Sequence, residues 1–124
     1  MWDFKPWDND GAADWYGDLM DNTQVRKHWL EGINEDPSDD PDVVRAAAGL
    51  FVMLGRVYIW PIDHYDQDLE LTIAQLKRVK ENDEYKELPE LIEIIDSELT
   101  ELQSRVKGKQ KKDQTPSKPW WKLW

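Results

Sequence analysis

The densest set of groups that could bind a metal or move a proton is Asp63-His64-Tyr65-Asp66-Gln67-Asp68. A hard divalent cation takes a shell of oxygens, whereas zinc takes imidazoles and carboxylates converging from separate elements. His64 and Asp68 are four residues apart and would share a helix face, which makes half of such a site. The other histidine, His28, is far away in sequence. The competing reading needs no ligand. In it Asp63 caps a helix whose first turn carries Asp66 and Asp68, where carboxylates meet the positive end of the helix dipole. That reading is preferred, and no metal ligand is assigned.

Other carboxylate patterns give the same answer. Glu81-Asn82-Asp83-Glu84 and Glu98-Leu99-Thr100-Glu101 have the spacing with which all-α nucleotide pyrophosphohydrolases hold magnesium. The first straddles a helix break at Asn82-Asp83, and the second borders an apolar stripe as solvated flanking residues do. Trp7 to Asp14 has the look of a calcium loop. With Gly11 at the loop glycine, Asp8 and Asp10 fall on ligand positions, but Pro6 takes the first one and Gly17 stands where a bidentate glutamate belongs. The serines (Ser38, Ser97, Ser104 and Ser117) sit in no glycine-flanked elbow, cysteine is absent, and no glycine-rich phosphate loop exists. No catalytic residue and no cofactor are expected. A metal-dependent hydrolase built on Asp63, His64, Asp66 and Asp68, or on helical glutamates, is the alternative.

Tryptophan is the remaining unusual feature, with eight in 124 residues. Trp15, Trp29 and Trp60 fall at helix or helix-end positions and are expected in the core. Trp2 and Trp7 lie in an irregular arm. Trp120, Trp121 and Trp124 crowd into five residues, and aromatic anchors of this kind dominate binding hot spots. The candidate partner contacts are therefore Trp2, Trp7, Trp120, Trp121 and Trp124, together with Asp63 and Asp66. Docking of the Trp-rich end on its own body and docking on a neighbouring copy both remain open.

The elements that would position these groups are helical. Leu88, Leu91, Ile92, Ile95, Leu99, Leu102 and Val106 recur at three- and four-residue steps, as do Leu69, Ile73, Leu76 and Val79. No sustained alternation of period two occurs. Asp40-Pro41-Asp42 supplies a cap, a proline for the first turn and an acid for the dipole. The helix it opens is expected to run to about Ile59, apolar nearly all round and central, with Gly49 and Gly55 letting backbones approach. Asp63 would cap the next helix, Asn82-Asp83 would break it, and Pro89 would begin the last, ending near Gly108. Asn9 or Asp10 would start a first helix. Asp21 and Gln24 have capping-box spacing for a second. The expected fold is all-α, a compact bundle of about five helices over residues 1–107, followed by a basic Pro/Trp-containing tail over 108–124.

Charge narrows the partners. The chain carries a net −10, unevenly spread. Residues 1–104 hold nine Lys/Arg against 25 Asp/Glu, a net −16, and from Arg105 onward seven face one, a net +6. So acidic a body repels phosphate backbones and attracts cationic proteins, so no nucleic acid is expected and a basic protein partner is. The longest uncharged apolar run, Ala46 to Gly55, has about half the length of a membrane span, so no membrane association is expected. With no secretory signal in Met1-Trp2-Asp3-Phe4-Lys5-Pro6 and no cysteine, a soluble cytoplasmic location is expected.

The string Trp7-Asp8-Asn9-Asp10-Gly11-Ala12-Ala13-Asp14-Trp15 resembles the opening of an uncharacterised bacterial family, the domain of unknown function numbered forty-two fifty-nine. The Ala46–Arg56 stretch and the Trp60-Pro61-Ile62-Asp63-His64 turn before Asp68-Leu69 are similar to that family's middle. The resemblance covers residues 1–106. The arm lacks the family's usual glycines, and the Pro-Trp-Trp end is no feature of it. It implies no activity, although small acidic proteins of this kind are associated with immunity or antitoxin roles. The expectation is a non-enzymatic protein-binding domain, in its narrower form an immunity-type antagonist of a cationic partner. A self-associating module that forms a homo-oligomer through its Trp-rich tail is a further alternative.

Overall fold

A computed structural model describes residues 10–106 of the chain. They form five α-helices: α1 (Asp10–Asn22), α2 (Val25–Ile33), α3 (Pro41–Leu54), α4 (Tyr65–Lys80) and α5 (Pro89–Ser104). Short 3-10 turns at Ile62–His64 and Tyr85–Glu87 precede α4 and α5, and no strand occurs among the described residues. The all-α bundle of about five helices is therefore observed. No helix among the described residues is long and apolar enough to cross a membrane. The arm before Asp10 and the basic segment 108–124 lie outside the described residues.

α3 and α4 form the central pair. α2 and α5 each pack against both of them, and α4 also touches both 3-10 turns. Their apolar stripes converge in a core of Val44, Ala48, Phe51, Leu69, Leu76, Val79, Ile95 and Leu102, sealed by Ile33 of α2. α2 and α3 meet at Gly32, where a Cβ would make ordinary contact with Ala47 at 3.5 Å. At one end an aromatic group fills the core. Phe51 and Trp60 pack edge to face at 4.8 Å, Trp29 meets Trp60 at 5.0 Å, and Tyr65 lies 5.9 Å from Phe51. The Trp29 indole N–H donates to the Ala47 carbonyl at 2.9 Å, so this ring enters the core with its polar atom satisfied.

Several boundaries differ from the sequence expectation. α3 stops at Leu54, short of Ile59, because Gly55 turns out of the helix at ψ 68°, pressed against Phe51. The chain then folds back, with the Ile59 and Trp60 amides both donating to the Arg56 carbonyl. Ile59 and Trp60 are buried, whereas Val57 and Tyr58 face outward. α5 ends at Ser104 rather than near Gly108. Trp15 is not a core residue: it is 62% exposed and packs only edge-on against Tyr16, on a helix that buries Met20 alone. Gly49 serves no close approach, because a Cβ there meets nothing within 4 Å.

The predicted acidic caps do not form. Asp40 and Gln24 stand at the N-cap positions of α3 and α2 without side-chain cap hydrogen bonds. His64, not Asp63, takes that position before α4, and Asp63 belongs to the 3-10 turn. The preceding turns replace the caps. Asp36 accepts the Asp39 and Asp40 amides, and Pro61 accepts the His64 amide.

Candidate functional site

The Asp63–Asp68 group splits in two. Asp68 points into the core, 1% exposed, and Asp63, His64 and Asp66 are on the surface. Asp68 takes Arg26 Nε at 2.7 Å and Nη2 at 2.9 Å in a bidentate pair, and the Trp60 indole N–H donates to the same carboxylate at 2.7 Å. Burial of a carboxylate is tolerable only with such partners. The hydrogen bond from Asp68 is also the main reason the Arg26 guanidinium is held above its usual pKa. The expectation that Asp68 is a solvated first-turn acid is thus corrected. It is a clasp joining α2, α4 and the α3–α4 connection.

The clasp is the first of three. Asp68 and Gln75 of α4 and Asn82, just past its end, recur every seven residues and are all buried on the same side. Gln75 donates to the carbonyls of Ile33 at 2.7 Å and Glu35 at 3.1 Å, which α2 leaves unsatisfied at its end. Asn82 donates to Pro37 at 3.1 Å and accepts the amides of Glu84 and Tyr85. The loop from Asn34 to Asp40 is thereby tied along α4. The Glu98 and Glu101 pair of α5 is equally engaged. Glu98 meets Arg45 at 3.1 Å and Glu101 meets Arg105 at 2.9 Å. Among the described residues, no group of three or more His, Asp or Glu is placed to hold a metal ion.

What the chain brings to the surface is a cleft at the corner where α3 hands over to α4. It encloses about 510 Å³ between Arg56, Val57, Ile62, Tyr65, Asp66 and the end of α5 at Glu101, Ser104 and Arg105. Val57 is 48% and Ile62 64% exposed, with Tyr58 (85%) also exposed in the same connection and Met53 exposed in the last turn of α3. Tyr65 is held neutral beyond the usual tyrosine range, chiefly by its burial. The two cations of the cleft are turned toward the open end of α3. Arg105 donates to the Gly55 carbonyl at 3.0 Å and that of Val52 at 2.9 Å, and Arg56 donates to that of Met53 at 3.1 Å. Two guanidiniums facing Asp66 and Glu101 leave the cleft near neutral, so it offers mainly apolar contact. Exposed Asp63 adds negative charge nearby.

Of the sequence-named partner contacts, Asp66 lines this cleft and Asp63 belongs to the turn beside it. Trp2, Trp7, Trp120, Trp121 and Trp124 lie outside the described residues. Sequence reasoning missed Val57 and Ile62, which it assigned to a helix and to a turn, and it missed the inward role of Asp68. Comparison with protein-family models, with curated proteins and with solved structures gives no match. The family resemblance therefore rests on the quoted residues alone.

Proposed function

We propose that this chain is a protein-binding module that holds a basic protein partner at the α3–α4 corner. The observation that carries the reading is the pair Val57 and Ile62, both exposed and lining one cleft. Grouped exposed apolar side chains rimmed by polar ones mark interaction surfaces more often than chance exposure. The excess of carboxylates over the body supplies the second ingredient. It attracts a cationic partner at long range and speeds encounter, while the cleft supplies the short-range contact. An immunity-type antagonist of a cationic toxin domain is the narrower form of this proposal.

Affinity capture from the source cell with the intact chain, beside a Val57→Asp/Ile62→Asp variant and a charge-matched control protein, tests it. A basic protein retained by the intact chain and lost from the variant and the control is the expected result. Capture that the variant and the control reproduce would refute the proposal.

A further inference from the structure

The described chain leaves α5 at Arg105, a residue that itself lines the α3–α4 cleft. The next eighteen residues begin with a lysine-rich stretch, Lys107-Gly108-Lys109-Gln110-Lys111-Lys112, and end in Pro119-Trp120-Trp121-Lys122-Leu123-Trp124. Residues 107–124 hold six lysines and one aspartate, a net +5, against a net −15 for residues 1–106. We infer that the Trp120–Trp124 group of this chain docks in its own cleft, against Val57 and Ile62, with the lysines of the connecting stretch lying over the acidic body.

Three observations carry the inference. The cleft is apolar and open where the segment departs, and the segment is aromatic at the right distance. Twelve linking residues, Lys107 to Lys118, can span at most about 40 Å, enough to reach back to a cleft that includes Arg105. Charge selects this segment over the arm before α1, which has Trp2 and Trp7 but a net charge of −1 over residues 1–9. The tether selects docking within one molecule over docking between copies. A tether of this length gives its end an effective concentration of about a millimolar, well above a micromolar second copy. The inference shares its cleft with the functional reading but needs no partner, so a basic partner would have to displace the segment.

The chain has no cysteine, so Leu123→Cys places one nitroxide label at a single site in the full-length protein. Amide signals of Val57–Asp66 and Glu101–Arg105 should weaken several-fold relative to the reduced label. The effect should vanish when Val57→Asp/Ile62→Asp is added, two surface changes that leave the core intact. An isotope-labelled chain mixed with a spin-labelled, isotopically silent chain should show no weakening. Signals left unchanged at the cleft, or weakened instead on another face, overturn the inference. Weakening that also appears in the mixed sample overturns it in favour of a second copy. None of these readings involves a partner, so failure here leaves the capture experiment to stand or fall separately.

Discussion

Asp68 shows how one side chain can hold three parts of a small domain. Its carboxylate accepts two hydrogen bonds from Arg26 and one from the Trp60 indole, out of contact with water. Removing it leaves the Trp60 indole N–H buried without a partner and the Arg26 guanidinium, 23% exposed, without its counter-charge, at about 1–3 kcal/mol. Asp68→Ala should lower the urea-unfolding free energy by that amount. Asp68→Ala/Arg26→Met should recover part of it, since no unpaired charge remains; equal losses in the two variants would contradict the clasp. Tyr85 gives a second test. Burial first, and then its hydrogen bond to Asp42, push the phenol from about 10 up to about 12. The folded chain thus keeps a proton that the unfolded chain releases. The stabilisation is complete below about pH 10 and is lost as the pH climbs to about 12. Burial of Tyr65 acts in the same direction. Thermal unfolding across that window should fall less steeply for Tyr85→Phe than for the parent, and the late phase of tyrosinate absorbance should shrink in the variant.

At the scale of elements, two glycines of similar sequence setting have opposite expected consequences. Gly49 lies mid-helix in α3 with open space at its Cβ position. Gly49→Ala should therefore stabilise the fold by about 0.5–1 kcal/mol, the helix-propensity difference. Gly55 ends α3, and a Cβ there would fall 2.5 Å from the Phe51 ring. Gly55→Ala must displace an aromatic ring in the middle of the core, at about 1–3 kcal/mol. Chemical denaturation of both variants checks the pair, and effects of the same sign would refute the argument. The two cases mark what a sequence discloses. The helices were legible because apolar spacing and Pro41 and Pro89 are local signals. The end of α3 was not, because Val57, Tyr58 and Ile59 continue the apolar pattern and only the packing of Phe51 stops the helix. The same limit hid the cleft: Val57 and Ile62 look like core residues until the fold-back turns them outward. The heptad Asp68, Gln75 and Asn82 could have been found as polar residues interrupting an apolar stripe. Their partners on α2 and in the loop that follows it, 40 or more residues away, could not.

Across the whole molecule the dominant quantity is charge. Residues 1–106 carry a net −15, and segment 107–124 brings the chain to −10. Like charges spread over a small body repel one another in the compact state more than in the unfolded one, which opposes folding. Salt weakens that repulsion, since the screening length is about 30 Å at 0.01 M and about 10 Å at 0.1 M. Beyond the Arg26–Asp68 clasp between α2 and α4, the ion pairs that link helices among the described residues, Arg45–Glu98 between α3 and α5 and Lys80–Asp96 between α4 and α5, are partly exposed and contribute little against that repulsion. The melting temperature of the intact chain should therefore rise between 0.01 M and 0.15 M sodium chloride. A chain ending at Val106 should show a larger rise, because it has lost five compensating positive charges and kept every carboxylate of the body. Glycerol, a neutral co-solvent, should shift both chains equally. If the two chains instead responded to salt alike, the lysine-rich segment would be electrically remote from the acidic body, and its charge would act on partners rather than on this fold.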